Sequence, residues 1–179
     1  MTGIRALAKL ARLMSPDLPQ FIEPSRLADT EARLEGKLDT NTMDRLKGVI
    51  LDSSGSVEFE MTFSKDIQGA IRIRGGYRVN VTLLCQRCLE PMEITLTNPF
   101  NIGLVAADKD ADEISAEFEP IIMESKELAL VTLIEDELLL GLPMSPMHAL
   151  EICPATKEVQ DRAAEKPNPF AVLKNLKTR

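Results

Sequence analysis

Large aromatic residues are scarce in this sequence, which has no tryptophan, one tyrosine and six phenylalanines among 179 residues. Hydrophobic residues nevertheless make up 44% of the chain, so the core must be built mainly from leucine, isoleucine, valine and methionine. A chain of this length with moderate charge can bury enough apolar surface to fold. The composition therefore predicts one ordinary domain with an aliphatic core.

Positive charge is also in short supply, because 21 lysines and arginines face 28 acidic residues and leave a net charge of -7. Proteins that bind nucleic acid through its phosphates are usually basic, since cationic contacts that release counterions supply most of the affinity. The charge balance argues against an extended RNA-binding surface. It leaves room for a local basic patch.

No apolar run is long enough to cross a membrane, and the richest run, residues 128–142, is interrupted by Glu135, Asp136 and Glu137. Near the N-terminus, charged residues interrupt the apolar ones too often for a secretory signal. The apolar residues of that segment have helical spacing and are Ile4, Leu7, Leu10, Ala11 and Met14. The segment is interpreted as a short docking helix, a loose end, or a transit or membrane-surface helix. We expect a cytoplasmic protein without a membrane partner.

The hydrophobic pattern predicts an α+β fold, an antiparallel β-sheet or open barrel with flanking helices. Predicted strands cover residues 33–38, 57–63, 70–74, 78–84 and 92–97, and Gly75-Gly76 is expected to separate two of them. Predicted helices cover residues 42–50, with Thr42 as N-cap, and 128–142. Residues 108–119 are acidic and predict a solvated loop. The expected organisation is an N-terminal amphipathic segment and linker over residues 1–24, a single domain over 25–154 and a tail over 155–179.

Cysteine is rare, but two of the three cysteines, Cys85 and Cys88, stand two residues apart between the strands predicted at 78–84 and 92–97. This places them on a hairpin turn. Thioredoxin-like redox pairs instead use a helix N-terminus to stabilise the thiolate. A tight turn that points two sulfurs at one ion is typical of a zinc knuckle.

A structural zinc ion needs two further ligands, and the only histidine, His148, lies close to the third cysteine, Cys153. The spacing of these two residues suits a second ligand pair. One interpretation is therefore a Cys3His zinc site formed by Cys85, Cys88, His148 and Cys153. The insertion between the two pairs is longer than in compact zinc fingers. Structural cysteines at the hairpin and a redox pair remain the alternatives.

Residue patterns of catalysis are missing from the sequence. Glu135, Asp136 and Glu137 are adjacent, so they cannot all face one cleft from a helix, and a solvated helix face is the simpler interpretation. Gly75-Gly76 lacks the spacing and the lysine of a phosphate-binding loop. A serine hydrolase arrangement could use only His148, and no serine lies in a nucleophile-elbow motif. The sequence predicts a protein that is not an enzyme.

The C-terminal tail keeps apolar residues where a disordered end normally loses them. Phe170, Leu173 and Leu176 repeat every three residues after Pro167 and Pro169, and proline is tolerated at the start of a helix. This apolar side could dock onto the protein's own core or bind a partner. The residues of the candidate partner-binding motif are Lys166, Pro167, Asn168, Pro169, Phe170, Leu173 and Leu176.

Several landmarks occur together in order along the chain. They are the segment VNVTLLCQRCLEP at residues 79–91, the segment EDELLLGLPMSPMH at 135–148 and the segment KPNPFAVLKNL at 166–176. In these landmarks the sequence resembles the YceD family of bacterial large ribosomal RNA subunit accumulation proteins, from roughly Asn41 onward. The Lys-Pro-Asn-Pro-Phe motif is the most specific part of the resemblance.

The resemblance implies a role in synthesis, processing or stability of 23S ribosomal RNA, and it implies no catalytic residues. The first hypothesis is a non-enzymatic ribosome-biogenesis factor whose partner is a ribosome-assembly or ribosomal protein, with rRNA contacted directly or indirectly and no small-molecule substrate. The alternative is a zinc-stabilised RNA-binding module that uses Arg72, Arg74, Arg78 and Arg87. A thiol oxidoreductase or a nuclease is the third hypothesis.

Overall fold

The structure is a computed structural model that describes residues 12–13, 18–106, 115–123 and 125–156. Most of the predicted N-terminal amphipathic segment and the whole motif at residues 166–176 lie outside this part of the chain. The chain divides into two compact units. The first contains the residues up to Thr82 and Glu93–Leu142, and the second contains Leu83–Met92 and the residues from Pro143 onward. The domain boundaries proposed at residues 24 and 154 stay predictions.

The alternation of apolar and acidic residues that predicts a central strand produces β4, Ser56–Lys65. Val57, Phe59, Met61 and Phe63 are all buried, and the residues between them face solvent. Burying one such side chain stabilises the fold by about 1.5–3 kcal/mol. The predicted half-buried strand is confirmed.

The prediction of two strands separated by Gly75-Gly76 was wrong, because residues 71–84 form one strand of 14 residues, β5, Ile71–Leu84. Alternation continues through the glycines, and Ile73, Tyr77 and Val79 are buried on the same face as Gly75. A Cβ atom at Gly75 would lie 2.4 Å from the Phe100 ring and 2.6 Å from a backbone oxygen. The glycine is therefore required by close packing in the middle of a strand, and it makes no turn.

Six strands form one open sheet in the order β1-β3-β4-β5-β6-β7. The centre is antiparallel, as predicted, whereas the edge pairs β1–β3 and β6–β7 are parallel. The remaining strands of this sheet are β1, Arg12–Leu13; β3, Arg33–Asp39; β6, Pro91–Val105; and β7, Glu119–Ile122. Strand β6 is longer than the predicted 92–97, and β7 begins inside the predicted acidic loop. A separate two-stranded sheet pairs β2, Phe21–Ile22, with β8, Leu128–Ala129. The α+β class with an open sheet is confirmed.

The helices before the central strands are short: α1 is Pro24–Asp29 and α2 is Asp44–Lys47, after a 3-10 turn at Thr40–Thr42. The predicted cap is wrong, because Met43 is the N-cap of α2 and the Thr42 hydroxyl donates to the carbonyl of Asp39 at 2.7 Å. The apolar side of the predicted helix is correct. Its members Met43, Leu46 and Ile50 are all buried.

Helix α3, Leu130–Gly141, is the longest helix among the described residues and packs on the first unit's sheet. The Tyr77 hydroxyl on β5 donates to the carbonyl of Glu137 at 3.1 Å and accepts from the Asn98 amide at 3.0 Å. The helix begins two residues later than predicted, because Leu128 and Ala129 belong to β8. Its buried side includes Leu130 and Leu133 as well as Ile134 and Leu138. No helix of the described residues is long and apolar enough to cross a membrane.

The interpretation of the acidic triplet as a solvated face was wrong for two of its members, since Glu135 and Glu137 are 6% and 8% exposed. The Glu135 carboxylate accepts bonds from the backbone N–H groups of Arg45 and Leu46 at 2.8 and 3.1 Å, and from the Arg45 guanidinium at 3.0 Å. It therefore satisfies the otherwise unpaired donors at the start of α2. Sequence spacing cannot show this role, because the partners are 90 residues away.

Glu137 lines a cavity of about 340 Å³ together with Phe118 and Glu119. Desolvation by burial, together with the negative charges of Glu119 and Asp136, raises the pKa of its carboxyl to about 7. The folded protein therefore keeps a proton that the unfolded chain releases at a lower pH. Folded and unfolded chains differ in proton binding between about pH 4.5 and 7.

We expect the contribution of Glu137 to stability to be fully present below pH 4.5 and to be lost as the pH rises to 7. The shift corresponds to at most about 3 kcal/mol. The measurement is urea unfolding at several pH values for the native chain and for Glu137→Gln, which cannot ionise. The free energy of unfolding of the variant should not decrease over this pH range. Glu127→Gln is the matched control, because Glu127 is exposed. An unchanged slope in Glu137→Gln would contradict the assignment.

Candidate metal centre

The first pair of candidate ligands lies on the turn that joins β5 to β6, as the sequence predicted. The N–H of Cys85 donates to the carbonyl of Glu90, and the N–H of Leu89 donates to the carbonyl of Cys85, both at 2.9 Å. Leu89 takes a left-handed backbone conformation, with φ of 61°. This tight closure places Cys85 and Cys88 on one turn. No helix begins there.

The second pair of candidate ligands lies in the proline-containing part of the chain that follows α3. The carbonyl of Pro146 accepts from the N–H of Gln86 at 2.8 Å, so the segment is fixed to the cysteine turn. The backbone N–H of His148 points at the Cys85 sulfur at 3.4 Å. Cys153 follows a helical turn in which its N–H donates to the carbonyl of Ala149 at 3.1 Å.

The four predicted ligands converge. The sulfurs of Cys85, Cys88 and Cys153 and a ring nitrogen of His148 all lie within 4.8 Å of one another. The Cys88 sulfur is 3.3 Å from Nδ1 of His148. Cys85 and Cys153 are fully buried, and the other two ligands are half-buried.

The donor set and its spacing fit a tetrahedral metal ion. A zinc centre with bonds of about 2.3 Å to sulfur and 2.0 Å to nitrogen separates neighbouring ligand atoms by roughly 3.5–3.8 Å. The ligand atoms of the cluster, which all lie within 4.8 Å of one another, are close to this spacing. The residues present could therefore hold a metal ion, and thiolates with one imidazole favour zinc over magnesium or calcium.

The environment of the sulfurs favours negative charge at two of the three positions. Burial opposes ionisation of Cys85, but backbone N–H groups of Cys88, His148 and Arg87 stabilise its thiolate and lower the pKa to about 5. Burial also opposes ionisation of Cys153, but hydrogen bonds from Cys88 and from Thr156 together outweigh burial and lower the pKa of this thiol. Thiolate is the form that binds metal.

The other two ligands respond to these charges. Burial and the neighbouring Cys85 and Cys153 sulfurs raise the pKa of the Cys88 thiol. Burial alone would lower the pKa of His148, but contacts with the sulfurs of Cys85 and Cys153 raise it. A cation at the centre of the cluster would balance this crowding of negative charge.

Apolar side chains are exposed next to the ligands in the second unit. Leu89 follows Cys88, Met147 precedes His148 and Ile152 precedes Cys153, and these three residues are 66%, 46% and 65% exposed. Met144 and Leu150 are exposed as well. Hydrophobic periodicity does not predict this feature, because it is not informative in a segment without regular structure.

Of the arginines proposed for an RNA-binding patch, three have protein partners in the structure. Arg72 is 6% exposed and pairs with Asp66 at 2.5 Å, and Arg74 bonds to Glu117 at 3.0 Å. Both guanidinium groups stack on the ring of Phe118, at 5.0 and 4.6 Å from its centroid. Within the second unit, Arg87 donates to the Thr156 hydroxyl at 2.9 Å. Arg78 is exposed.

A groove of about 1040 Å³ crosses strands β3 to β6 of the first unit. Charges of both signs line the groove. Lys37 and Glu58 form a salt bridge there, with 2.5 Å between Nζ and Oε1. Mixed charges of this kind give no basic track for a phosphate backbone.

Comparison with known proteins identifies the family of this chain. Residues 73–177 match the family described as large ribosomal RNA subunit accumulation protein YceD. The chain belongs to the YceD family. A Haemophilus influenzae protein named large ribosomal RNA subunit accumulation protein YceD is 36% identical over 169 residues, which cover 89% of this chain and 96% of that protein. The segment matched by the YceD family contains all four candidate ligands and the tail motif. No solved structure matches the chain.

Proposed function

We propose that this chain is a non-enzymatic, cytoplasmic ribosome-biogenesis factor that supports the synthesis, processing or stability of 23S ribosomal RNA. Membership of the YceD family is the observation that carries the proposal. The related Haemophilus influenzae protein is named for accumulation of the large ribosomal RNA subunit. The chemistry of the described residues is consistent with this role, because their candidate ligands suit a structural metal.

Zinc is the proposed cofactor, held by Cys85, Cys88, His148 and Cys153. Three sulfurs and one imidazole complete a tetrahedral shell from protein atoms, which is typical of structural sites, whereas catalytic sites keep a position for water or substrate. The metal would fix the cysteine turn to the segment that carries His148 and Cys153. The proposed result is a rigid second unit that presents Leu89, Met147 and Ile152.

A protein partner is favoured over naked RNA by the charges of the described residues. Arg72 and Arg74 are already neutralised by acidic partners, and stacking on Phe118 holds both guanidinium groups in place. The apolar motif at residues 166–176 is the proposed contact for a ribosome-assembly or ribosomal protein, since short amphipathic segments bind grooves in this way. Contact with rRNA would then be indirect.

The test is affinity purification of the tagged chain from bacterial lysate, with and without nuclease. We expect the same ribosome-assembly or ribosomal proteins to be recovered in both conditions, because the physical link is protein. Recovery that disappears with nuclease would overturn the preferred hypothesis. It would favour the alternative, a zinc-stabilised module that contacts rRNA directly.

Binding of the purified chain to naked 23S fragments separates the two hypotheses quantitatively. We expect weak affinity at physiological salt and a shallow dependence on salt, with a slope of about -0.9 for each phosphate contacted. Tight binding with a steep slope would require a basic surface and would contradict a protein-mediated role. Arg78→Gln is the informative variant for any residual binding, since Arg78 is exposed, whereas Arg74, which is also exposed, is paired with Glu117.

A further inference from the structure

Among the described residues, one edge of strand β6 has no partner over much of its length. Strand β6 lies between β5 and β7, but β7 pairs only with residues 102–105. Among the residues that the structure describes, none pairs with residues 93–101 on the side facing away from β5. A strand edge of this kind is a template for another strand.

The direction of the free hydrogen-bonding groups follows from two contacts. The carbonyl of Glu90 points across the hairpin, where it accepts from Cys85, whereas the carbonyl of Val105 points to the opposite side and accepts from Met123. Successive residues of a strand point their backbone groups to alternate sides. The odd-numbered residues Glu93, Thr95 and Thr97 therefore direct both N–H and C=O to the free edge.

Two prolines bound this stretch symmetrically, because Pro91 and Pro99 each stand four residues from Thr95. Proline at a sheet edge normally discourages pairing, since it has no N–H to donate. In an antiparallel pair of two β6 strands centred on Thr95, however, Pro91 falls opposite Pro99 of the other copy. The two positions without a donor then coincide at the ends of the paired stretch, and every position between them keeps its N–H.

The side chains are self-complementary in the same register. Glu93 falls opposite Thr97, so no like charges meet, and Ile94 falls opposite Leu96. Ile94 and Leu96 are only half-buried in the single chain, whereas Phe100 and Ile102 farther along β6 are buried. Cross-strand apolar pairs stabilise a sheet, and this pairing would cover the half-buried residues.

We propose that the free edge of β6 is a dimer interface at which two copies of this chain pair antiparallel about Thr95. The residue pairs Glu93–Thr97, Thr95–Thr95 and Thr97–Glu93 each exchange two backbone hydrogen bonds. The interface is isologous, so it closes on itself and does not extend into a filament. The contact buries less than the roughly 1,200 Å² typical of stable complexes, so the dimer is concentration-dependent.

Sedimentation velocity of the full chain over a roughly hundredfold range of concentration tests the proposal. The sedimentation coefficient should rise from that of a monomer to that of a dimer. The register is tested by charge at Thr97, which faces Glu93 of the other copy. Thr97→Glu should weaken dimerisation about tenfold, and Thr97→Lys should strengthen it several-fold.

Thr95→Pro removes the central N–H and should abolish the dimer over the same range. That N–H faces away from β5, so the fold should be retained, which circular dichroism checks. Thr95→Ala is the control, because it loses the side-chain bond to Asn80 but keeps the N–H. A chain that stays monomeric throughout, or a dimer that responds equally to Thr97→Glu and Thr97→Lys, would overturn the proposal. Neither result would affect the proposed role in rRNA accumulation.

Discussion

Replacing Cys88 with serine is expected to reduce the zinc content of the purified protein from about one ion per chain to almost none. Serine removes one thiolate from the shell, and the remaining sulfurs of Cys85 and Cys153 cannot close it without a fourth strong ligand. Structural zinc in small domains contributes about 10–16 kcal/mol of binding free energy, which is also folding free energy. The variant should therefore lose the ordered structure of the second unit.

The measurement is elemental analysis after purification without chelator, together with a thermal melt. Gln86→Ala is the matched control, since Gln86 lies on the same turn, is exposed and uses its side chain for a hydrogen bond to the carbonyl of Leu84. A native protein free of metal, combined with a Cys88→Ser variant of unchanged stability, would mean that the cysteines are only structural residues of the hairpin.

Deleting residues 166–179 is expected to abolish the proposed effect of the protein on large-subunit rRNA in cells and to leave the melting temperature within a degree or two. The reason is that a partner-binding motif acts through surface that the fold does not use. Phe170 and Leu173 would bury their side chains only when the partner is bound. The measurements are a thermal melt of the purified chain and quantification of 23S rRNA in cells.

The opposite outcome is equally specific. If the tail docks on the protein's own core, Phe170 and Leu173 each contribute about 1.5–3 kcal/mol of burial, and their loss should lower the melting temperature by many degrees. A double variant Phe170→Ala and Leu173→Ala in the full-length chain controls for the change in length. A large destabilisation in either protein would end the partner-motif hypothesis.

The candidate metal centre could be predicted from sequence because its signal is chemical identity. The chain has only one histidine and three cysteines, so the four candidate ligands could be named before any distance was known, with structural cysteines and a redox pair as the alternatives. Alternation likewise predicted β4, since one face of that strand is buried. Both patterns can be recognised in the sequence alone. Alternation predicts a strand correctly when the apolar residues that it marks are the ones that the fold buries.

Features that depend on contacts between distant residues could not be predicted in this way. Gly75 reads as a turn in sequence, but its function is to admit the Phe100 ring. Glu135 reads as a solvated acid, but it caps a helix that lies 90 residues away. The parallel edge strand β7 was missed because it is only four residues long, begins at the last residue of the acidic region and carries no periodic signal.

The separation between the two ligand pairs has a consequence for how the chain folds. Cys88 and His148 lie 60 residues apart, and all of β6 and α3 are encoded between them. A metal that joins them would close this segment into a loop and remove about 4 kcal/mol of conformational entropy from the unfolded chain. During synthesis, the loop can close only after Cys153 has left the ribosome, so the metal would be captured late, when the intervening strand and helix have already had time to form.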